Sequence, residues 1–304
     1  MARPTIVVPG NHDGVHRGHQ ALLDRARGLV GEDGIVTALF FTPHPLVTLA
    51  PERAPTPLTT PERRRELLVA AGVDRALAKT FDADFAAMSP EAFVRGVLLD
   101  QLEGTAVMVG PDFRFGHRRE GDIERLRQLG EQFGLAVHVA TAEMHGPTRI
   151  SSSRIRRVIA EGDVALAREL LGRIHDVEGT VVQGQARGRT LGFPTANLEG
   201  VDTALPADGV YAVVCREVGT EAVRQGVANL GVRPTVDAGR SFEVHLLDFG
   251  GDLYGQRLRV GFVERLRGEQ RFGNLDELKA QITRDCLDAR RLLGQSHQGT
   301  SPWD

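Results

Sequence analysis

Through the first half of this 304-residue chain, short apolar runs alternate with segments of helical spacing. Beyond about residue 172 the runs continue, but the helices between them disappear. That change limits the possible folds more than any other feature. The β-branched run at 5–8 and the apolar run at 35–41 predict strands, and Pro43-His-Pro45 stops the second; 106–109 and 135–140 predict two more. Helical spacing covers 19–29, 62–71, 90–102, 122–133, 151–161 and 164–171, with capping character at Thr59-Thr60-Pro61 before the second. Such alternation predicts an α/β fold, a parallel sheet wrapped by helices, whose ligands sit past the carboxyl ends of the strands. From residue 177 onward, strand-like segments at 178–182, 209–216, 222–230, 242–249 and 258–266 follow one another between Gly and Pro. These predict an antiparallel sheet or a small closed barrel. Helical spacing returns at 275–293. The expected organisation is a first domain at 1–173, a second at 174–295 and a loose polar tail at 296–304.

Composition narrows the chemistry. With 41% hydrophobic and 25% charged residues, the chain can bury a core and stay soluble. A net charge of -3 supplies no basic field, so neither a nucleic acid nor a membrane surface is an expected partner. Lys79 and Lys279 are the only lysines, so a GxxxxGK[ST] phosphate loop is excluded and any phosphate must be held by Arg, His or backbone amides. Cys215 and Cys286 are far apart with no CxxC, which fits a reducing compartment. No leader pattern precedes the first strand and no apolar run reaches the ~18 residues of a span, so a cytoplasmic location is expected.

Residues 9–20, PGNHDGVHRGHQ, hold two motifs with opposed meanings. Gly10-Asn11-His12-Asp13 has the look of a two-metal phosphoesterase string, yet that chemistry needs several Asp and His from separate loops. No Asp, Glu or His precedes Gly10. His16 and His19, in HxGH, stand three apart where a strand turns into a helix, and so share one face at a helix start. Free amides and the positive end of the helix dipole suit an anion there, and Gly10, Gly14 and Gly18 permit close backbone approach. Ser151-Ser152-Ser153, followed by Arg156, offers hydroxyls and a planar guanidinium at a second helix start. Taken alone, that segment reads better as a Ser cap on a basic helix; beside HxGH it reads as a phosphate-binding element.

Together these strings resemble the bacterial bifunctional riboflavin kinase/FAD synthetase family. The first half carries the 10–19 string, Phe41-Thr-Pro-His-Pro45, 109–116 (VGPDFRFG), 149–156 (RISSSRIR) and 170–173 (LLGR); the second carries 179–184 (GTVVQG), 188–197 (GRTLGFPTAN), 205–211 (LPADGVY), 229–235 (NLGVRPT), 243–249 (EVHLLDF) and 253–255 (LYG). They run in one collinear order over nearly the whole chain. One departure stands out: the family usually has Phe where this chain has His12.

The resemblance implies two ATP-using reactions, riboflavin to FMN and FMN to FAD, with riboflavin, FMN, FAD and ATP as ligands and Mg²⁺ arriving with ATP. For FMN adenylylation it implies roles for His16, His19, Arg156, Ser152 and Ser153, with Gly10, Asn11 and Gly18 at the nucleotide and Asp112 at the flavin. For riboflavin phosphorylation it implies Glu243 as base, Thr195 and Asn197 at the metal and ATP phosphates, Gly184, Gly188 and Gly192 as a nucleotide rim, and Arg267 at the flavin. Rival expectations are a chain with one inactive half, a non-catalytic flavin binder, and adenylyl transfer to another acceptor.

Overall fold

The structure is a computed structural model that describes residues 3–184, 188, 191–232 and 240–295. The expected tail at 296–304, and positions 189–190 and 233–235 of two quoted strings, lie outside those residues. Internal contacts divide the chain into two compact units, Met1–Ser152 and Ser153–Asp304.

The first unit is built on a parallel sheet of five strands: β1 (Thr5–Pro9), β2 (Ile35–Thr42), β3 (Arg75–Thr80), β4 (Ala106–Val109) and β5 (Ala136–Val139). Their order is β3-β2-β1-β4-β5. The chain winds outward from β1 to β3, then returns to the other edge of β1 as β4. A crevice opens at such a reversal, beyond the carboxyl ends of β1 and β4. Helical segments α1 (Arg17–Val30), α2 (Pro45–Leu49), α3 (Pro61–Ala70), α4 (Ala83–Ala86), α5 (Pro90–Ala92), a wide turn at Phe93–Gln101 and α6 (Ile123–Phe133) connect the strands. Both faces of the sheet are covered, which is why β1 is buried at every position and apolar at all but Thr5. Ile6 and Val8 join Leu23 of α1 and Phe40 on one side, whereas Val7 joins Leu126 and Leu129 of α6 on the other. Caps set the helix ends where the sequence placed them. The Thr60 hydroxyl accepts the Arg63 N–H at 3.1 Å with Pro61 at the first helical position, and Asp122 accepts the Arg125 N–H at 2.8 Å.

The second unit holds a closed barrel ordered β10-β11-β12-β9-β8-β13. Its strands are β8 (His175–Val182), β9 (Ala196–Glu199), β10 (Gly209–Glu217), β11 (Arg224–Val232), β12 (Arg240–Leu246) and β13 (Arg257–Arg267), all paired antiparallel. Period-two alternation on β10 sends Tyr211, Val213 and Cys215 into the barrel, and Val210, Ala212 and Val214 outward. The outward set packs with Cys286, Ala289 and Leu293 of the C-terminal helix α9 (Leu275–Gln295). Two further helices, α7 (Ser152–Ala160) and α8 (Val164–Leu171), precede the barrel. α8 packs on β8 and β13, and its Val164 enters the barrel's inner cluster.

Three features differ from the expectation. The contacts place the division about twenty residues before 173, because α8 packs with the barrel; the break in composition marks a helix end, with Gly172 at φ 77° as its cap. β3 has no strong strand signal in Arg-Ala-Leu-Ala-Lys-Thr because it is an exposed sheet edge that buries little apolar surface. β9, Ala-Asn-Leu-Glu, reads from sequence as part of a turn and is instead a barrel stave.

The packing of α8 generates a prediction. A fragment beginning at Ser153 should resist urea better than one beginning at Ile174, by about 2 kcal/mol, the worth of burying Val164 alone. Urea unfolding followed by circular dichroism measures it, and equal stabilities would show that α8 adds nothing to the barrel.

Candidate active sites

The first candidate site lies in the crevice beyond β1. Residues 10–16 leave the strand and turn into α1, with His16 as the residue capping the helix and no acidic residue in its first turn. The first-turn amides of a helix lack intrahelical partners, so this end favours an anion. The turn is tight. His12 (φ 47°), Gly14 (φ 82°) and Val15 (φ 39°) all sit in the left-handed region. For residues other than glycine that conformation costs on the order of 1–3 kcal/mol each and survives only where neighbours enforce it. Two glycines let imidazoles lie on backbone: a Cβ at Gly10 would stand 3.2 Å from the His12 ring, and one at Gly18 3.2 Å from the His16 ring.

Three imidazoles therefore pack together. His16 and His19 stack with centroids 3.7 Å apart, and His12 meets His19 edge to face at 5.1 Å. His12 is buried and its Nε2–H donates to the Val8 carbonyl at 2.9 Å, leaving Nδ1 without a partner. It packs as an aromatic ring, in keeping with the Phe usual in the similar family. Burial lowers its pKa from 6.5 to about 4, with the Arg64 charge adding to that effect. Burial, then His16, His12, Arg64 and Arg149, hold the His19 imidazole well below its ordinary value. Both rings are neutral near pH 7 until an anion arrives. Among the described residues, no group of three or more His, Cys, Asp or Glu is placed to hold a metal ion.

Further residues join this crevice. The Asn11 carboxamide meets Nε2 of His44 at 3.1 Å, while Nδ1 of His44 accepts the Leu46 N–H at 3.2 Å. The hydroxyl of Ser152, the first residue of α7, donates to the Asp13 carbonyl at 2.9 Å. Ser153 and Arg156, also expected at the nucleotide, belong to the second compact unit, the first exposed and the second half-buried. Asp112, in the turn after β4, forms an ion pair with Arg149. His44 lies in the FTPHP string with no expected role, and nothing local to Asp13, Thr59 or Arg64 points to this loop, because only the folded chain brings 11–14 against 58–64.

The second candidate site lies on the barrel. Antiparallel pairing places Asn197 of β9 directly opposite Glu243 of β12, and Thr195 Oγ1 donates to Glu243 Oε2 at 3.3 Å. The three expected residues thus form one cluster of hard oxygen donors. Gly184 lies against it: a Cβ there would stand 2.1 Å from Nδ2 of Asn197. A Cβ at Gly188 would meet the Phe193 carbonyl at 2.3 Å, and Gly192 adopts φ 90°. A cavity of about 500 Å³ opens beside Thr195, lined by Val181, Val244, Leu246, Phe249 and Tyr254 among others. Arg267 is engaged elsewhere, in a two-pronged pair with Asp285 of α9 (3.0 and 2.8 Å), and its guanidinium lies 5.8 Å from the Phe272 ring.

Two predictions follow from this geometry. Gly184→Ala forces Asn197 aside, and a displacement near 1 Å typically costs on the order of 10²-fold in rate; a chain altered there should lose its barrel reaction and keep the reaction of the first unit, read in separate turnover assays. The second concerns pH. A histidine with a depressed folded pKa stabilises fully above its unfolded value and loses that stability as pH falls toward the folded one. For His12 the window runs from 6.5 down to about 4, and the shift corresponds to roughly 3 kcal/mol at most. Urea midpoints should fall through that window, and His12→Phe should flatten the decline.

With this geometry in place, comparison with known proteins is direct. Residues 1–154 match the FAD synthetase family model and residues 171–293 the riboflavin kinase model. The bifunctional riboflavin kinase/FMN adenylyltransferase of Escherichia coli K12 is 42% identical over 296 residues, covering 95% of this chain and 93% of that protein. Its counterpart in Pseudomonas fluorescens is 42% identical over 97% of this chain and 94% of that one, and that of Listeria monocytogenes 36% identical over 95% and 93%. The solved structure of a macrolide-efflux protein from Streptococcus pneumoniae shares the fold, with a TM-score of 0.85 at 30% identity over 95% of each chain. Among the described residues of this chain, no helix is long and apolar enough to cross a membrane. Two family models in tandem, and identity of 42% sustained over 95% of the length, place this chain in the bifunctional riboflavin kinase/FMN adenylyltransferase family.

Proposed function

We propose that the barrel phosphorylates riboflavin to FMN with ATP, and that the sheet unit joins AMP from a second ATP to FMN, releasing pyrophosphate and forming FAD. The observation that supports this reading is a polar cluster in each compact unit: the His16–His19 stack beyond β1, and the Thr195–Glu243 contact on the barrel.

In the first reaction the nucleophile is a phosphate already ionised near pH 7, so no strong base is needed. An FMN phosphate oxygen attacks the α-phosphorus of ATP, and the bond to the pyrophosphate oxygen breaks. The protein aligns the two anions and stabilises the charge growing on the leaving group. His16, His19 and the amides at the start of α1 do this on the triphosphate, with Gly10, Asn11 and Gly18 shaping the approach. Ser152, Ser153 and Arg156 bind phosphate oxygens at the start of α7. Six phenylalanines, Phe81, Phe41, Phe85, Phe93, Phe115 and Phe113, run in an unbroken line with centroids 5.4–6.2 Å apart and end beside Asp112. Several are half-buried, and a flavin ring fits against such a wall.

In the second reaction the nucleophile is an alcohol, and a base is useful. Glu243 takes the proton of the riboflavin hydroxyl as the hydroxyl oxygen attacks the γ-phosphorus of ATP, and the bond to the bridging oxygen breaks, releasing ADP. Thr195 touches Glu243 and also lines the adjacent cavity, whose apolar and aromatic lining suits the base of ATP. Gly184, Gly188 and Gly192 shape its rim. Oxygen donors from Thr195 and Asn197 fit Mg²⁺, which uses few protein ligands and completes its shell with phosphates and water. Bound there, the ion supplies charge neutralisation on the transferring phosphoryl group. Arg267, held by Asp285, is assigned to the flavin edge of the barrel. The free, buried thiols of Cys215 and Cys286 suit a cytoplasmic setting.

Riboflavin, ATP and Mg²⁺ given to the pure chain should yield FMN and then FAD, with pyrophosphate appearing in the second step. FMN that never becomes FAD leaves a kinase alone. Glu243→Gln should slow riboflavin phosphorylation by about 10²–10⁴-fold and spare FMN adenylylation. His19→Ala should do the reverse and accumulate FMN. Separated flavins, quantified over time, read both variants; a kinase rate within about threefold of wild type in Glu243→Gln removes Glu243 as the base.

A further inference from the structure

Asp13, within the loop that carries the histidines, and Arg64 of α3 are buried, 2% and 6% exposed, and joined at 2.8 Å. The Asp13 carboxylate also accepts the N–H groups of Leu58 (3.0 Å) and Thr59 (3.2 Å) and the Thr59 hydroxyl (3.2 Å). Arg64 donates to the carbonyls of Asn11 at 3.0 Å and Thr59 at 3.2 Å, and its guanidinium lies over the Phe40 ring at 5.5 Å. The Thr59 hydroxyl accepts from Gly14 N–H and Arg64 Nε, both at 3.3 Å. The carbonyl of Asp13 itself accepts from Ser152. Every residue from 11 to 14 except His12 is thus tied to the start of α3 or of α7, and His12 is tied to Val8. These ties enforce the left-handed turn at His12, Gly14 and Val15.

We propose that Asp13 and Arg64 are positioning residues for FMN adenylylation, holding the loop of 10–16 so that His16, His19 and the start of α1 face the ATP phosphates. The inference rests on the adenylyltransferase reading of this site. It assigns Arg64 a second role as well. The charged or titratable groups facing His19 are His16, His12, Arg64 and Arg149. Burial is the main cause of the lowered His19 pKa, and Arg64, a buried permanent cation, adds to it, which favours an anion over a proton there. A purely structural pair would hold α3 against the sheet and influence neither the titration of His19 nor turnover at saturating substrate.

The test uses the full chain. Asp13→Asn/Arg64→Met removes the pair without leaving a lone buried charge. FMN adenylylation should lose on the order of 10²-fold in kcat, the usual consequence of misplaced catalytic groups, while riboflavin phosphorylation on the same chain stays at the wild-type rate. The His19 imidazole, followed by NMR, should titrate at higher pH than in wild type. Arg64→Lys, which keeps the charge but not the planar fork, should lose kcat while leaving the His19 titration low. If the double variant does not fold, Arg64→Lys and Thr59→Val carry the test through the same two readouts. Adenylylation within threefold of wild type, with an unmoved His19 titration, overturns the proposal. A wild-type chain that makes no FAD from FMN fails the adenylyltransferase reading instead, and the NMR titration still judges the electrostatic role.

Discussion

β1 pairs in parallel with β2 along one edge and with β4 along the other, and the first site depends on that double pairing. A strand flanked on both edges and covered on both faces has no freedom left except at its carboxyl end. The chain leaves there through 10–16, and the turn after β4 leaves beside it. The loop with the histidines and the loop with Asp112 are neighbours because of sheet order rather than sequence proximity. Without the reversal between β1 and β4, a hundred residues would separate them with nothing to bring them together.

A chain with two lysines handles phosphate by other means. In the sheet unit, cationic charge is kept behind the site as well as in it: Arg64 lies under the loop and Arg149 beside it, and both lower the proton affinity of His19. A neutral imidazole next to buried guanidinium is a strong site for an anion, because the positive potential is already in place and little has to reorganise when charge arrives. The left-handed residues of the loop carry a conformational cost, and the Asp13–Arg64–Thr59 bonds offset it.

The barrel solves a different problem with a different device. Its site is assembled across a strand pair, so Asn197 and Glu243 are set by register, and a slip of one residue would turn one of them to the opposite face. Closure supplies the precision: β9 bonds to β12 on one side and β8 on the other, leaving neither edge free. Gly184, at the end of β8, leaves the room in which the Asn197 amide sits. α9 covers the outward face of β10, which explains why β10 is apolar at 210–215 instead of alternating.

The sequence by itself determined much of this molecule. Short apolar runs alternating with helical spacing made a parallel sheet, caps at Thr60 and Asp122 set helix starts, and His16 and His19 lay at a strand-to-helix turn; these follow from local propensity and spacing, which act over a few residues. Collinear strings resembling one family named Glu243, Thr195 and Asn197, which the fold brings together. Tertiary structure decided the rest. Asp13 and Arg64 are ordinary in sequence, fifty-one positions apart, and become a pair only when α3 docks against the loop. Ala-Asn-Leu-Glu has little strand propensity, yet becomes β9 because the barrel needs a stave there and its neighbours supply the hydrogen bonds. β3 left too faint a pattern to read because an exposed edge buries little apolar surface. His12 shows the division most clearly: in sequence it resembles a metal ligand, and burial against Val8 and His19 makes it a neutral ring, since the cost of charging an imidazole away from water exceeds what its neighbours return.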